Sequence, residues 1–414
     1  TIRQNMTYNN LNQLIAYHDT ITSTDTLLTK DIDFVSGLYN PSNQLTSYTE
    51  QVHTYGQDIN GQTYDVTVTT QRDSITYNTL GLMTGYHDII NNTSTPGIYQ
   101  DKLLFNMSYD SLKQISGFVD LTKTLDKATD TELLITQTTR SLATYQQNRL
   151  SGYTEVVHEY DPTKTILDVT TTTQRQNITY DNLNRMISYF DRITQTATPD
   201  LITTKDVSLI KYNNFGQMTS YTEITHEFGP NLDVTTQTQR SNMTYNGFGQ
   251  LTGYQDIIKT NTSDMTQQRT MSGIFYDGTG RITSYIEQTR EFDTLTGGSL
   301  SDITRTTNRT NMTYNNLNQL ISYQETQVDL TSAITKFITW SATNYNSLNQ
   351  LTHYTQQTLS LADGLNQLVI SERKDILYDT VGRQLSYMDI NISQSSSLPG
   401  VFVTTQTQRT DILY

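Results

Sequence analysis

One stretch recurs from the first residues of the chain to the last, seen cleanly as Tyr245-Asn-Gly-Phe-Gly-Gln-Leu-Thr-Gly-Tyr254. With its first tyrosine taken as position 0, the anchors are Tyr8, Tyr39, Tyr77, Tyr109, Tyr145, Tyr180, Tyr212, Tyr245, Tyr276, Tyr314, Tyr345, Tyr378 and Tyr414. Their mean spacing is about 34 residues, the range of tandem repeat arrays, in which each unit buries its apolar face only against its neighbours. Alternate intervals sum to nearly constant lengths, so the repeats are expected to group in pairs. Residues 1–414 thus read as one array of about twelve hairpin repeats, or six paired units, and not as separate domains.

A second aromatic follows position 0 by nine residues, as at Tyr17, Tyr86, Tyr189, Tyr254 and Tyr323; in the fifth repeat Tyr153 comes one residue early. Between the two aromatics, position +4 is Gly81, Gly216, Gly249, Gly280 or Gly382 in five repeats and Asn12, Asn43, Asn184, Asn318 or Asn349 in five more. Glycine and asparagine share a tolerance for positive φ. Only Lys113 departs from this among the repeats of standard spacing. A short loop with a left-handed residue near its end joins antiparallel strands, which predicts a tight β-hairpin here. The flanking arms, such as Ile178-Thr-Tyr180 and Met218-Thr-Ser-Tyr-Thr-Glu-Ile224, carry the Thr, Ile and Tyr content of strands. Pro96, Pro162, Pro199, Pro230 and Pro399 fall in the second, variable connection, and Pro41 in a tight turn, so every proposed strand is free of proline. The expected topology is an antiparallel meander, with uniform tight turns along one border and variable loops along the other.

If position 0 pairs with +6, then −5 faces +11. That register sets Arg3 opposite Asp19, Arg72 opposite Asp88, Arg175 opposite Asp191, Arg240 opposite Asp256 and Arg309 opposite Glu325. Repeated cross-strand charge pairs penalise a register slip. The tyrosines at position 0 (Tyr8, Tyr77, Tyr180, Tyr245 and Tyr314 among them) are expected to pack in ladders against neighbouring hairpins.

Hydrophobic residues make up 34% of the chain, too few for a thick two-sided core. Twenty-eight tyrosines in period are not the composition of disorder. A single-layered sheet that coils around a lumen fits both observations. The net charge of −14 and sparse Lys and Arg argue against nucleic-acid binding. No run approaches the roughly 20 apolar residues of a membrane-spanning helix. Thr1–Tyr8 aligns without gaps on Thr407–Tyr414, and no capping repeat stands at either end. A segment of a much longer protein is therefore the expectation.

No residue constellation marks catalysis. His53, His158 and His226 share one offset from their tyrosines and His18 and His87 another, so five of six histidines are repeat features. Nucleophile-elbow, zinc-protease, phosphate-loop and dinucleotide fingerprints do not occur. The expectation is a chain that is not an enzyme and carries no cofactor or metal. Asn5, Asn106, Asn177, Asn242 and Asn311 each open an Asn-x-Ser/Thr triplet at position −3, with others at Asn91, Asn92, Asn261, Asn308 and Asn391. In an exported chain these would accept glycans. The stretch from Asp126 to Thr173 is the least regular and predicts a bulge or a wider loop.

Tyr276-Asp-Gly-Thr-Gly-Arg-Ile and Tyr378-Asp-Thr-Val-Gly-Arg resemble the tyrosine-aspartate (YD) repeat of bacterial Rhs proteins, toxin-complex shells and teneurins. Other copies are similar with Asn for Asp and Gln for Arg, as in Tyr245-Asn-Gly-Phe-Gly-Gln-Leu, over a longer repeat than the family's. The resemblance implies a strip of β-hairpins spiralling into a hollow shell. The Rhs aspartyl self-cleavage motif is absent. The leading functional expectation is a structural, extracellular or cell-surface protein building a β-sheet tube, filament or fibre, with its own array as partner, end to end or laterally. The alternatives are an adhesin stalk contacting glycans or a partner surface, and an Rhs-like shell enclosing a toxin.

Overall fold

The computed structural model describes residues 1–23, 26–57, 61–293, 302–363, 365–395, 402–410 and 412. Pro399 and Tyr414 lie outside the described residues. Twenty-five strands, β1 to β25, follow one another from β1 (Ile2–Tyr8), β2 (Leu14–Thr22) and β3 (Leu28–Tyr39) to β25 (Phe402–Arg409), and no helix occurs among the described residues. Each strand pairs antiparallel with its neighbours in sequence, so the chain is one all-β meander of tandem hairpins. Among these hairpins, β15 (Leu232–Tyr245) pairs with β16 (Leu251–Thr260), and β9 (Glu132–Gln146) with β10 (Arg149–Tyr160).

The ladder contains two irregularities per hairpin that cancel. In β15–β16, Ser241 faces Gln255, then Thr244 faces Gly253, then Tyr245 faces Leu251. One extra residue on the upstream strand near position −3 is offset by one on the downstream strand near +7. The upstream bulge has a left-handed residue at −3, such as Asn5, Asn106, Asn177, Asn242 or Asn311, with φ between 54° and 57°. This is the geometry of a bulge opened by a residue in the left-handed region. Ser36, Ser74, Leu142, Leu209, Gly273 and Asp375 take the same conformation at the same position.

The tight turns hold two further outcomes. Lys113 adopts φ 64° like its asparagine counterparts, so the exception lies in residue type and not in conformation. The fifth hairpin, β9–β10, closes through Gln147 and Asn148 alone, both left-handed at φ 52° and 62°. A two-residue turn with both φ positive is the hairpin form whose twist matches its strands. One proline corrects the expectation: Pro199 is the second residue of β13 (Thr198–Tyr212). It sits at a register shift, between the Thr198–Gln195 and Ile202–Thr194 pairs, where no ladder partner faces it.

The sheet is single-layered and winds back on itself. The loop after the first hairpin meets the tight turn of the eighth, with Leu27 N donating to the Gly247 carbonyl at 2.5 Å. Asp65 N, after the second hairpin, donates to Gly278 O of the ninth at 2.7 Å, and Gly97 N, after the third, to Asn316 O of the tenth at 3.0 Å. Asp168 N, after the fifth, donates to Thr380 O of the twelfth, beside a Leu167–Val381 bridge. The offset is seven hairpins each time. The variable border of one turn of a coil thus rests on the tight-turn border of the next.

Candidate functional site

The recurrent site is the joint where one hairpin meets the next. At the tight turn, the residue at +1 organises the loop. Asn246 Oδ1 accepts from the backbone N–H of Phe248 at 3.0 Å and of Gln250 at 2.9 Å, and Asn246 Nδ2 donates to Gln250 Oε1 at 2.7 Å. Asp277 makes the same backbone bonds, while its other oxygen accepts from Arg281 Nε at 2.7 Å. Asn–Gln and Asp–Arg are therefore interchangeable clips, one neutral and one charged; Asp181–Arg185 and Asp379–Arg383 repeat the second. Where Asp110 is followed by Gln114 no such clip closes: Gln114 Nε2 donates to Asn148 Oδ1 at 3.5 Å, and Gln114 Oε1 is buried without a partner. The +4 residues then take the left-handed conformation: Gly81, Gly216, Gly249, Gly280 and Gly382 at φ 76–86°, and Asn12, Asn43, Asn184, Asn318 and Asn349 at φ 59–63°.

Position 0 ties neighbouring hairpins together. In most repeats the ladder between hairpins ends at +9 against −5, as at Tyr254 opposite Met271, because the bulge at −3 follows. Beyond that point the carbonyl at +6 has no strand N–H facing it. The next tyrosine fills the gap: Tyr77 donates to Leu45 O, Tyr180 to Leu150 O, Tyr245 to Met218 O and Tyr314 to Ile282 O, at 2.6–2.8 Å. The same bond is made from Tyr39, Tyr109, Tyr145, Tyr212, Tyr276, Tyr345 and Tyr378. Tyr8 turns its hydroxyl to Met6 sulfur instead. Burial pushes the phenols of Tyr77, Tyr180, Tyr245 and Tyr314 above their ordinary range, as expected for hydroxyls held as donors.

A spine of guanidinium and aromatic groups runs across one face of the sheet. Arg3, Arg72, Arg175 and Arg240 each bond both carboxylate oxygens of Asp19, Asp88, Asp191 and Asp256 at 2.6–2.8 Å, and Arg309 bonds Glu325 at 2.6 Å. Each guanidinium also lies over the aromatic at +9 of its own repeat: Tyr17 at 3.8 Å, Tyr86 at 3.6 Å, Tyr189 at 3.9 Å, Tyr254 at 3.8 Å and Tyr323 at 3.9 Å. Hydrogen bonds to the carboxylates raise the basicity of Arg175 and Arg240 against the opposing effect of burial. Where −5 is not arginine, an apolar residue takes its place: Phe34 stacks between Tyr17 and Tyr48, and Trp340 between Tyr323 and Tyr354, at centroid separations of 5.0–5.9 Å. Leu104, Val207 and Met271 occupy the same place, so arginine and apolar repeats largely alternate.

Several contacts carried no advance signal. The hydroxyl at −1 bonds a hydroxyl across the hairpin, as in Thr244–Thr252 at 3.0 Å and Thr313–Ser322 at 2.6 Å. The Asn-x-Ser/Thr triplets at Asn106, Asn177, Asn242 and Asn311 therefore satisfy two structural demands, a left-handed bulge and a cross-strand hydroxyl pair. His53, His158 and His226 bond Asp65, Asp168 and Asp233 at 2.6–2.8 Å and lie against Tyr55, Tyr160 and Phe228. A hydrogen bond to Asp33 raises the pKa of His18. No cluster of three metal-ligating side chains occurs among the described residues. No helix there is long and apolar enough to cross a membrane.

The seam between turns of the coil is the second recurrent feature. Its main-chain bonds go to the carbonyl at +2 of a tight turn, Gly247, Gly278, Asn316 or Thr380, and Gln62 Nε2 adds a bond to Tyr276 O at 2.8 Å. Gly247 and Gly97 permit the approach, since a Cβ on them would meet Leu27 Cδ1 at 2.8 Å and Leu317 Cδ2 at 2.6 Å. Leu27 and Tyr64 cover the turn of the eighth hairpin, the latter with its ring 6.0 Å from that of Phe248. After the fourth hairpin, Asp126 and Leu133 line a cleft together with Ser347 and Asn349 of the eleventh.

These features define a coiled array of β-hairpins held by repeated structural joints. No family model matches the chain. No curated protein matches it either. Among solved structures it is similar to TcdB2-TccC3 without its hypervariable C-terminal region, at 9% identity and a TM-score of 0.17, covering 99% of this chain and 32% of that one. TcdB2-TccC3 itself gives 9% identity and a TM-score of 0.17, covering 99% and 33%. The chain spans about a third of the length of those proteins.

Proposed function

We propose that this chain is a length of structural tube: a YD-type hairpin array whose role is to build and stiffen a narrow β-coil outside the cell or at its surface. The observation that carries the proposal is the seven-hairpin offset of the seam. From the loop between β2 and β3 to the tight turn between β15 and β16 is thirteen strands. At about 4.8 Å per strand that is about 62 Å along the ribbon; since the seam joins opposite borders, a strand length of about 40 Å adds at right angles, giving a circuit of about 74 Å, or about 24 Å between opposite backbones. Side chains on the inner face reduce this to a bore on the order of 10 Å, between a filled eight-stranded barrel and an open porin. Such a bore suits ions, water or an extended peptide and is too narrow for a folded cargo domain, which weighs against a toxin-enclosing shell. The tyrosines at position 0 spend their hydroxyls on backbone carbonyls of the preceding hairpin, which weighs against a row of tyrosines offered to glycans.

Electron microscopy of the protein, with averaging along the particle axis, tests the proposal. The expected image is a hollow rod advancing about 48 Å per turn, somewhat more than the length of a twelve-residue strand because the ribbon is inclined. Closed ovoid particles with internal density would overturn it in favour of a cargo shell.

A further inference from the structure

The seam joins each loop to one particular turn, and the same step of seven is written in the order of the repeats. No motif inside a single hairpin marks it. Successive anchors are 31 residues apart from Tyr8 to Tyr39 and 38 apart from Tyr39 to Tyr77; seven hairpins on, Tyr245, Tyr276 and Tyr314 repeat both lengths. Strand length sets the local width of the ribbon. Matched lengths seven hairpins apart therefore keep its two borders parallel along the seam. Position −5 carries the same step. Arginine and apolar hairpins alternate there, except that two arginine hairpins stand side by side at Arg140–Arg175 and again, seven hairpins later, at Arg373–Arg409. Seven is odd, so strict alternation would set a loop that follows an arginine hairpin against the turn of an apolar one. One break in every seven keeps like against like.

The contacts themselves are matched by size. All four main-chain donors of the seam, Leu27, Asp65, Gly97 and Asp168, stand at position −12 of their repeats. Where −12 is Leu27, the turn presents Gly247, which has no Cβ to obstruct the leucine. Where −12 is Gly97, the bulk lies on the other side: a Cβ there would meet Leu317 Cδ2 at 2.6 Å and Asn316 O at 3.0 Å. Exchanging Leu27 and Gly97 would drive a leucine into the tenth turn and leave a hole at the eighth. Close-packed contacts penalise both errors.

We infer that seven hairpins form a coded unit of this chain, and that residue −12 on the loop and residues +2 and +3 on the turn decide which hairpin a loop accepts. The partner selected is the hairpin in the same place of the next unit. Sheet twist brings the two borders together, and size complementarity selects the turn by rejecting the wrong ones. This inference rests on the tube reading and adds to it that the ribbon locks at a fixed step and does not slide along its seam.

The test exchanges the two loop residues in the 414-residue chain, as Leu27→Gly/Gly97→Leu. Hydrogen exchange is read at the amides of positions 27 and 97 and compared with that of Asp168, whose contact is unaltered. Protection at 27 and 97 should fall at least tenfold, while Asp168 and the β15–β16 ladder keep theirs. Exchanging the sockets as well, with Gly247→Asn/Phe248→Leu and Asn316→Gly/Leu317→Phe, should restore it. Unchanged protection after the first exchange would overturn the code and leave the step to curvature alone. No recovery after the second would overturn the assignment of +2 and +3 as its readers. Should Gly97→Leu cost the fourth hairpin its own ladder, Leu27→Ala/Gly97→Ala erases the size difference instead, with a fall expected and no change again counting against the code. Closed ovoid particles from the unaltered chain would overturn the tube reading, and the code with it.

Discussion

Replacing Arg240 with methionine isolates what the spine contributes. Asp256 is 2% exposed, and both of its oxygens accept from Arg240 at 2.8 Å. Removing one member of a buried pair leaves an uncompensated carboxylate, a loss of about 3–5 kcal/mol. The guanidinium stacked 3.8 Å from the Tyr254 centroid contributes about 0.5–1 kcal/mol more. Methionine returns part of this by filling the slot as Met271 does in the next repeat. The expected net loss is about 3 kcal/mol, confined to β15, β16 and their neighbours, because an array loses stability locally. Hydrogen exchange read peptide by peptide is the suitable assay, and that loss should accelerate exchange in this hairpin by about a hundredfold. Arg240→Met/Asp256→Gln should recover most of it, since the eleventh repeat pairs Trp340 with Gln356 in the same slots. A single-variant change below about tenfold, or simple additivity in the double-mutant cycle, would refute the reasoning and mark the pair as an ordinary surface ion pair.

Tyr314→Phe removes one hydroxyl bond to Ile282 O and should loosen the joint with the preceding hairpin by about 1 kcal/mol in hydrogen exchange, while Tyr8→Phe changes nothing measurable. Leu209 is 69% exposed at φ 54°, so Leu209→Gly should stabilise its hairpin by about 1 kcal/mol, seen as slower exchange there. Gln114→Arg should stabilise the fourth hairpin by completing an Asp–Arg clip with Asp110, and restoring glutamine should reverse the gain. Burial raises the pKa of Asp161, but bonds from Thr163, Ile166 and Leu167 outweigh it and bring the pKa down to about 2 from 3.8. A depressed carboxylate contributes stability that is present above about pH 4 and lost as pH falls from there through 2. Protection of the loop beside Thr380 should drop over that window, and Asp161→Asn should abolish the pH dependence.

The hairpin, its border of tight turns and the all-β meander were legible in the sequence because each rests on local chemistry repeated many times. Gly or Asn at +4 marks a left-handed φ wherever it occurs. The spacing of Arg240 and Asp256 is enough to set a register once a turn is assumed. What escaped the sequence was non-local or self-cancelling. Two opposite irregularities leave the register at −5 and +11 where a plain ladder would put it, so pairing arithmetic is blind to them. Their trace was Asn242 and its counterparts at −3, which also satisfy a glycosylation pattern and invite that reading first. The carbonyl bond from Tyr245 needs both the bulge and the preceding hairpin, and no spacing within one repeat encodes it. The seven-hairpin offset depends on sheet curvature, which accumulates from small twists at every strand and leaves no motif.

The seam also sets how such a coil would respond to force. Strands carry an axial pull through covalent bonds within one turn, but between turns the pull crosses a few main-chain hydrogen bonds such as Leu27 to Gly247 and Gly97 to Asn316. The ladders within each turn hold many bonds per strand pair. Under tension the turns should part before any hairpin unravels, and the rod should lengthen as a spring paying out an intact ribbon. On release, the loops after the first three hairpins and the fifth each have a +2 carbonyl waiting seven hairpins away, so the spring can rewind without refolding.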